Sequence, residues 1–293
     1  MIKLIVSDMD GTLLDNTLNV TKENKDAILY TTKKGIPFVI ATGRHLNEAL
    51  PALKAADLHC PIISANGAAI YNEHQELIKV NAISPNNVLA VLEIAEKYDT
   101  LFIELMMLSG ILSDQPKKRE MMMKTFISGR LHNGTPEEIE LAVKEKLKEF
   151  PVSYVSSLQQ FIKEEKTDKV LKIFVCNTVQ NEQLDAFRQD ISQLSDVSIT
   201  SSHPENIEIN SLYAQKGIAV KDMARQMNIS LEDVFAIGDN MNDYSMISVV
   251  GYGVAMGNAV PNLKKAARYV TDKNFESGVA KAIYHFVNEE NLA

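Results

Sequence analysis

Two aspartates one residue apart, Asp8 and Asp10, follow the first apolar run of the chain in MIKLIVSDMDGTLLD. Side chains at positions i and i+2 of an extended segment point the same way, so both carboxylates are expected to face one site. Like charges a few ångströms apart raise each other's pKa unless a cation lies between them. Mg²⁺ suits this position because it prefers oxygen ligands, including carboxylates and phosphate oxygens. The pair therefore predicts a magnesium site, whereas a single aspartate would be explained by capping of a turn or helix.

A second acidic cluster follows another apolar run, in AIGDNMNDYSMI. Asp239 closes the run VFAIG, and Asp243 lies on the same face if a helix starts near Asn240. An acid in the first turn of a helix is also favoured by the helix dipole, so both interpretations of Asp243 stay open. Asp239 is expected at the same sheet edge as Asp8, where the two carboxylates would bind one divalent ion.

Two further segments carry groups that bind phosphate. Thr42, Gly43 and Arg44 follow the apolar run PFVIA and offer a hydroxyl, backbone N–H groups and a guanidinium. Lys216, in AQKG before a helical segment, would supply the positive charge that a phosphoryl transition state needs. Taken alone, Lys216 would be interpreted as a solvated surface lysine.

Strands and helices alternate at both ends of the chain and place these groups together. Apolar runs at Lys3 to Ser7 and at Pro37 to Ala41 predict strands, and helical spacing after Thr21, a predicted N-cap, separates them. The same alternation returns after Ser211. It predicts an α/β fold with a doubly wound, mostly parallel sheet. Ligands of such sheets bind beyond the carboxyl ends of the strands, where Asp8 and Thr42 fall.

The middle of the chain has a different pattern. Helical segments alternate there with strand-like runs such as LFIELMM and KVLKIFV, and none of these runs ends in aspartate. This pattern predicts an inserted α+β domain with its own sheet. The expected organisation is a core formed by residues 1–84 and 211–293 and a cap domain formed by residues 85–210.

Composition argues against several classes of function. The 293 residues include 30 basic and 38 acidic side chains, a net charge of −8, which argues against a nucleic-acid partner. No apolar run approaches about 18 residues, and the short acidic-ended N-terminal run is unlike a signal peptide, so no membrane association is expected. Cys60 and Cys176 lie far apart, as suits a reducing compartment. We expect a cytoplasmic protein that is a monomer or a small homo-oligomer.

Together, these motifs resemble the haloacid dehalogenase superfamily of phosphotransferases. DMDGT at Asp8 to Thr12 matches the first motif of that family, Thr42 the second, Lys216 the third and GDNMND at Gly238 to Asp243 the fourth. IATGR, Asn66-Gly67-Ala68, GVAMGNA and the large insert resemble its Cof-type subfamily of sugar-phosphate and small phosphoester phosphatases. In this family the cap largely chooses the substrate, so the resemblance implies the reaction but not the substrate.

The resemblance also implies roles for the motif residues. Asp8 would attack phosphorus and become an aspartyl phosphate. Asp10 would protonate the leaving alkoxide and later take a proton from the hydrolytic water. Mg²⁺ would be held by Asp8, the backbone carbonyl of Asp10 and Asp239. The phosphoryl group would be held by Thr42 and Lys216, with Asn242 nearby and with Asp243 orienting Lys216 or a metal-bound water.

Other functions fit parts of this pattern. A dehalogenase of the same fold attacks carbon and needs neither an acid at Asp10 nor a metal, and a P-type pump needs membrane helices. A phosphomutase, which would keep the phosphoryl group on a sugar bisphosphate, stays open. A regulator that binds a phosphorylated metabolite would tolerate loss of Asp8 or Asp10, and both are present. We therefore expect a Mg²⁺-dependent phosphatase of small phosphorylated metabolites, with the phosphomutase and the regulator as alternatives.

Overall fold

A computed structural model of the protein describes residues 1–130, 134–149, 151–165, 167–177, 182–201 and 205–289. The first elements are β1 Leu4–Ser7, α1 Lys22–Lys33, β2 Phe38–Ala41, α2 Leu46–Ala55, β3 Ile62–Ser64, β4 Ala69–Tyr71 and β5 Leu77–Val80. They are followed by α3 Pro85–Ala95, β6 Leu101–Met107, β7 Ile111–Ser113, α4 Pro116–Arg130, α5 Pro136–Glu149, β8 Val152–Tyr154, α6 Leu158–Glu164, β9 Val170–Asn177, α7 Gln183–Ile191, β10 Val197–Thr200 and β11 Asn206–Ser211. The last are α8 Lys216–Gln226, β12 Val234–Gly238, α9 Tyr244–Ile247, β13 Tyr252–Ala255, α10 Pro261–Ala266, β14 Tyr269–Val270 and α11 Gly278–Glu289.

The chain divides into two compact units. One contains Met1–Asn81, Thr200–Ser202 and Leu212–Ala293, and the other contains Ala82–Ile199 and His203–Ser211. Each unit has its own cluster of buried apolar side chains. The assignment of the second unit as a cap that selects the substrate stays a prediction. Within the described ranges, no helix has both the length and the apolar character needed to cross a membrane.

The larger sheet has the strand order β14-β13-β12-β1-β2-β3-β4-β5. Neighbours from β14 to β3 run parallel, and β4 and β5 continue the sheet antiparallel. The strands next to the site are buried along their whole length, as expected for parallel strands covered on both faces. The predicted fold class, a doubly wound and mostly parallel sheet, is confirmed.

Strand register places the predicted site residues at one edge of this sheet. Ser7, the last residue of β1, lies opposite Ile237 of β12 and Ile40 of β2. Asp8 and Asp239 therefore follow the ends of two adjacent parallel strands, and the turn after β2 lies on the other side of Asp8.

Local signals explain where several elements begin and end. The Thr21 hydroxyl accepts a hydrogen bond from the Asn24 N–H at 3.2 Å, which confirms Thr21 as the N-cap of α1. Gly35 follows that helix with φ +78°, a conformation that favours glycine. Pro261 is the first residue of α10, where its missing N–H leaves no bond unmade.

The second sheet has the order β10-β11-β9-β6-β7-β8. Strand β9 pairs antiparallel with both β6 and β11, and β7 pairs parallel with β8. Alternate side chains of β6, among them Ile103 and Leu105, pack in the apolar cluster with residues of α3, α6 and α7. This unit is α+β, as expected, but α4 was not predicted, because its methionine-rich sequence places apolar and polar residues all around the helix.

Candidate active site

Asp8 directly follows β1, the strand between β12 and β2. Its backbone N–H donates to the Ile237 carbonyl at 3.0 Å, and its side chain is 7 % exposed. The chain then turns sharply at Gly11, which has φ +70°. A Cβ atom on Gly11 would collide with the Asp239 carboxylate, so only glycine lets the turn approach Asp239 this closely.

Lys216, the first residue of α8, is completely buried beside Asp8. Its Nζ donates to Asp8 Oδ1 at 2.6 Å and to Asp243 Oδ1 at 2.5 Å. Burial alone would lower the pKa of Lys216, but the charges of Asp243 and Asp8 raise it above its usual value. Lys216 is therefore a buried cation between two carboxylates, and its interpretation as a solvated surface group is wrong.

Asp243 anchors this lysine and the loop after β12. Its Oδ2 accepts hydrogen bonds from the backbone N–H groups of Asp239 at 2.8 Å and Asn240 at 3.1 Å. Gly238 gives it room, because a Cβ atom at that position would overlap the Asp243 carboxylate. Asp243 is therefore an acid in a first helical turn, as one interpretation expected, and it also contacts Lys216. A role in binding the metal stays a prediction.

Three carboxylates could hold a metal ion. Asp8, Asp239 and Asp243 each offer one oxygen, and these oxygens lie within 4.8 Å of one another. Burial and the charge of Asp243 raise the pKa of Asp8 to about 7, although Lys216 opposes the shift. Burial and the charge of Asp8 raise the pKa of Asp239 to about 8. Three carboxylates share one lysine here, and such an all-oxygen cluster with excess negative charge fits a hard divalent cation such as Mg²⁺.

Asp10 takes no part in that cluster through its carboxylate. Arg44 Nε donates to Asp10 Oδ2 at 2.7 Å, and Arg44 Nη2 donates to Asp10 Oδ1 at 2.6 Å. The Asp10 side chain is 50 % exposed, whereas that of Arg44 is 17 % exposed. The two aspartates of the first motif therefore have different partners, the buried Lys216 for Asp8 and the largely buried Arg44 for Asp10.

The turn after β2 is tied to the turn after β3. The Thr42 hydroxyl accepts from the Arg44 N–H at 3.1 Å, and the Thr42 carbonyl accepts from the Asn66 N–H at 2.9 Å. Gly43 lies between Thr42 and Arg44 in this turn. Asn242 Nδ2 donates to Asn66 Oδ1 at 3.3 Å, so the loop after β12 joins the same group. The predicted phosphate-binding residues Thr42, Gly43 and Arg44 lie in the turn after β2, Asn242 lies in the segment after β12, and Lys216 begins α8.

Sequence reasoning missed two groups that shape the site. Asn258 Nδ2 donates to the Gly11 carbonyl at 2.8 Å and thereby holds the turn after Asp8. The Ser245 hydroxyl accepts from the Gly217 N–H at 3.0 Å and joins α8 to α9 beside Lys216. Asn258 lies in the motif GVAMGNA, which was noted as a resemblance without a role; Ser245 carried no signal in the sequence.

Comparison with known proteins identifies the family. The model of a family described as haloacid dehalogenase-like hydrolase matches residues 5–283. The chain belongs to this family. The expected superfamily and Cof-type subfamily are thus confirmed.

Related hydrolases resemble the chain over nearly its whole length. The phosphatase YwpJ of Bacillus subtilis (strain 168) is 32% identical over 290 residues, 97% of this chain and 100% of that protein. The 5-amino-6-(5-phospho-D-ribitylamino)uracil phosphatase YcsE of the same strain is 30% identical over 286 residues, 98% of this chain and 96% of that protein. A solved haloacid dehalogenase-like hydrolase from B. subtilis is 29% identical with a TM-score of 0.86, over 97% of this chain and 99% of the other. The expected enzyme class, a phosphoric monoester hydrolase, is confirmed.

The raised pKa of Asp239 predicts that the stability of this hydrolase depends on pH when no metal ion is bound. Because the pKa is raised to about 8 from 3.8, the native state holds the proton more tightly, and the free energy of unfolding falls as pH rises from about 4 to 8. In EDTA, Asp239→Asn should therefore exceed the wild type in the free energy of unfolding at pH 8, because the variant carries no charge at this buried position. At pH 4 the two should agree. Urea unfolding at both pH values tests this, and a constant difference would contradict it.

Proposed function

We propose that this hydrolase is a Mg²⁺-dependent phosphatase that cleaves small phosphomonoesters, such as sugar phosphates, through an aspartyl phosphate on Asp8. The observation that supports this most strongly is the buried contact of Lys216 with both Asp8 and Asp243. A nucleophilic carboxylate is fixed there by a cation at the end of a central strand. The two free cysteines, Cys60 and Cys176, favour the cytoplasm as the setting.

Asp8 and Lys216 carry the covalent steps of the proposed reaction. The Asp8 carboxylate forms a bond to phosphorus while the bond from phosphorus to the ester oxygen breaks. Lys216 orients that carboxylate and offers positive charge to the phosphoryl oxygens. Water then attacks phosphorus, the bond to Asp8 breaks, and the free carboxylate is restored with release of inorganic phosphate.

Asp8, Asp239 and the backbone carbonyl of Asp10 would hold the Mg²⁺ ion. The Asp239 carboxylate is the most available ligand, because one hydrogen bond from the described residues reaches it, from the Thr12 hydroxyl at 3.4 Å. Both oxygens of Asp243 already accept hydrogen bonds, so we assign Asp243 to positioning Lys216. When bound, Mg²⁺ supplies charge that screens the anionic phosphate from the anionic nucleophile.

Thr42, Gly43 and Asn242 would bind the phosphoryl oxygens. The Thr42 hydroxyl accepts a hydrogen bond from the Arg44 N–H and keeps its own proton to donate. The Asn242 side chain donates to Asn66 Oδ1, and the Asn66 N–H donates to the Thr42 carbonyl in the turn after β2. These donors are neutral, so the positive charge at the phosphoryl group would come from Lys216 and the metal.

Asp10 gives a test of acid catalysis. Asp10→Asn should lower kcat for an alkyl phosphate by about 10²- to 10⁴-fold, because an alkoxide needs a proton to leave. The loss with p-nitrophenyl phosphate should be smaller, since nitrophenolate leaves with little protonation. Steady-state kinetics with both esters measure the two losses, and equal losses would count against the acid role.

The reaction is tested by measuring phosphate release from a panel of phosphorylated sugars, nucleotides and cofactors, with Mg²⁺ and with EDTA. The panel should contain 5-amino-6-(5-phospho-D-ribitylamino)uracil, after which the relative YcsE is named. We expect Mg²⁺-dependent release of inorganic phosphate. Transfer of the phosphoryl group to a second position of the sugar would indicate a phosphomutase, and binding without turnover would indicate a regulator.

A further inference from the structure

The guanidinium of Arg44 makes a bidentate contact with the carboxylate of Asp10. Its Nε and Nη2 donate to the two oxygens of Asp10 at 2.7 and 2.6 Å. Its Nη1 donates to the backbone carbonyl of Glu48 at 2.9 Å, so each of its three nitrogens has a partner. A guanidinium held in this way defines the position of a carboxylate more closely than a lysine could.

The backbone of Arg44 is anchored as firmly as its side chain. Its N–H donates to the Thr42 hydroxyl at 3.1 Å, and its carbonyl accepts from the Ser64 hydroxyl at 2.8 Å and from the Ala65 N–H at 3.0 Å. Ala65 has φ +48°, an uncommon conformation for alanine, and Asn66 follows with φ +60°. The backbone of Arg44 is therefore held by Thr42 within its own turn and by Ser64 and Ala65 at the end of β3.

We infer that Arg44 is a positioning residue for Asp10 and does not bind the phosphoryl group directly. This inference rests on the proposed function, in which Asp10 exchanges a proton with the leaving group and with water. It differs from the expectation drawn from the sequence, which placed the Arg44 guanidinium among the phosphate ligands. Its Nε and Nη2 both donate to the Asp10 carboxylate instead.

The geometry also defines how Asp10 is used. Half of its side chain is exposed, so its carboxyl group can exchange a proton with water and meet a leaving oxygen. For the transfer, one Asp10 oxygen leaves its hydrogen bond with Arg44, takes a proton from water and passes it to the alkoxide, while the other oxygen stays bonded to Arg44. Arg44 thus affects the rate through the orientation of Asp10, and its contribution should depend on how much the leaving group needs a proton.

Kinetics of Arg44→Gln with two esters test this inference. We expect kcat for an alkyl phosphate to fall about 10- to 100-fold, kcat for p-nitrophenyl phosphate to change less than about threefold, and KM for either ester to change less than about threefold. Lys54→Gln is the matched control, since it removes an exposed cation from α2, and both esters should be turned over at the wild-type rate. Thermal unfolding checks that the variants are folded.

A double-mutant cycle separates the two roles of Arg44. If Arg44 acts through Asp10, Arg44→Gln should cause no further loss in the Asp10→Asn background. An additive loss, or an equal rise of KM for both esters, would show that Arg44 binds phosphate and would overturn the inference. If Asp10→Asn itself lowers both rates equally, the acid role in the proposed function fails, and the inference fails with it. A leaving-group effect for Asp10→Asn without one for Arg44→Gln overturns the inference alone.

Discussion

Replacement of Asp8 with asparagine is expected to lower Mg²⁺-dependent hydrolysis of p-nitrophenyl phosphate by at least about 10⁴-fold. An amide cannot form the acyl phosphate, and Asp243, the other carboxylate that contacts Lys216 within the described ranges, already accepts backbone hydrogen bonds. The fold should persist, since asparagine has the same shape and its oxygen can still accept from Lys216. Burial raises the pKa of Asp8 to about 7, so removal of this charge should leave the unfolding temperature unchanged or higher at pH 8.

Asp15→Asn is the control for this substitution. Asp15 follows the same loop but is held by Thr17 and Asn19, away from the three-carboxylate cluster. Its asparagine variant should keep near-normal turnover. Near-normal turnover of Asp8→Asn itself would remove the nucleophile assignment.

Replacement of Lys216 with methionine should have the second largest effect, on both stability and rate. It would leave the buried carboxylates of Asp8 and Asp243 without their cation, and a loss of about 3–5 kcal/mol in the free energy of unfolding is expected. Turnover below the unfolding transition should fall by about 10²- to 10³-fold, because the phosphoryl oxygens lose a fixed positive charge. Urea unfolding and steady-state kinetics at one temperature measure the two losses.

Lys79→Met is the matched control for Lys216→Met, because Lys79 is also paired with an aspartate of the same unit but is not buried. Lys79 Nζ lies 2.6 Å from Asp222, but its side chain is 39 % exposed, so its loss should change stability by less than about 1 kcal/mol. If Lys216→Met were as mild as Lys79→Met in both measurements, the buried cation would not have the role assigned to it.

Most of the larger sheet could be predicted from the sequence because each buried strand is a short apolar run with a polar end. Helices without a clear apolar face give no such signal, and α4 was missed for this reason. The helix α11 was not predicted either. The order of the strands depends on which strands pair, and the sequence carries no signal for that pairing. Only the structure therefore showed that β1 lies between β12 and β2.

The gathering of Asp8, Thr42 and Asp239 was predictable because the carboxyl ends of parallel strands share one edge. Lys216 begins α8 and follows no strand of that sheet, so its place came from the family motif. Their individual partners were not predictable. Sequence spacing cannot show that Lys216 bridges Asp8 and Asp243, or that Arg44 grips Asp10, since these contacts join residues 27 to 208 positions apart. Contacts between residues so far apart in the sequence depend on how the loops pack, and loop packing leaves no periodic pattern in the sequence.

The stereochemistry of the reaction at phosphorus tests the central claim most directly. A phosphorothioate monoester made chiral with oxygen isotopes would be hydrolysed in isotopically labelled water with Mg²⁺, and the configuration of the released thiophosphate determined. A phosphoryl group that passes through Asp8 undergoes two in-line displacements, so overall retention of configuration is expected. Inversion would show that water attacks the ester directly and would contradict the aspartyl phosphate.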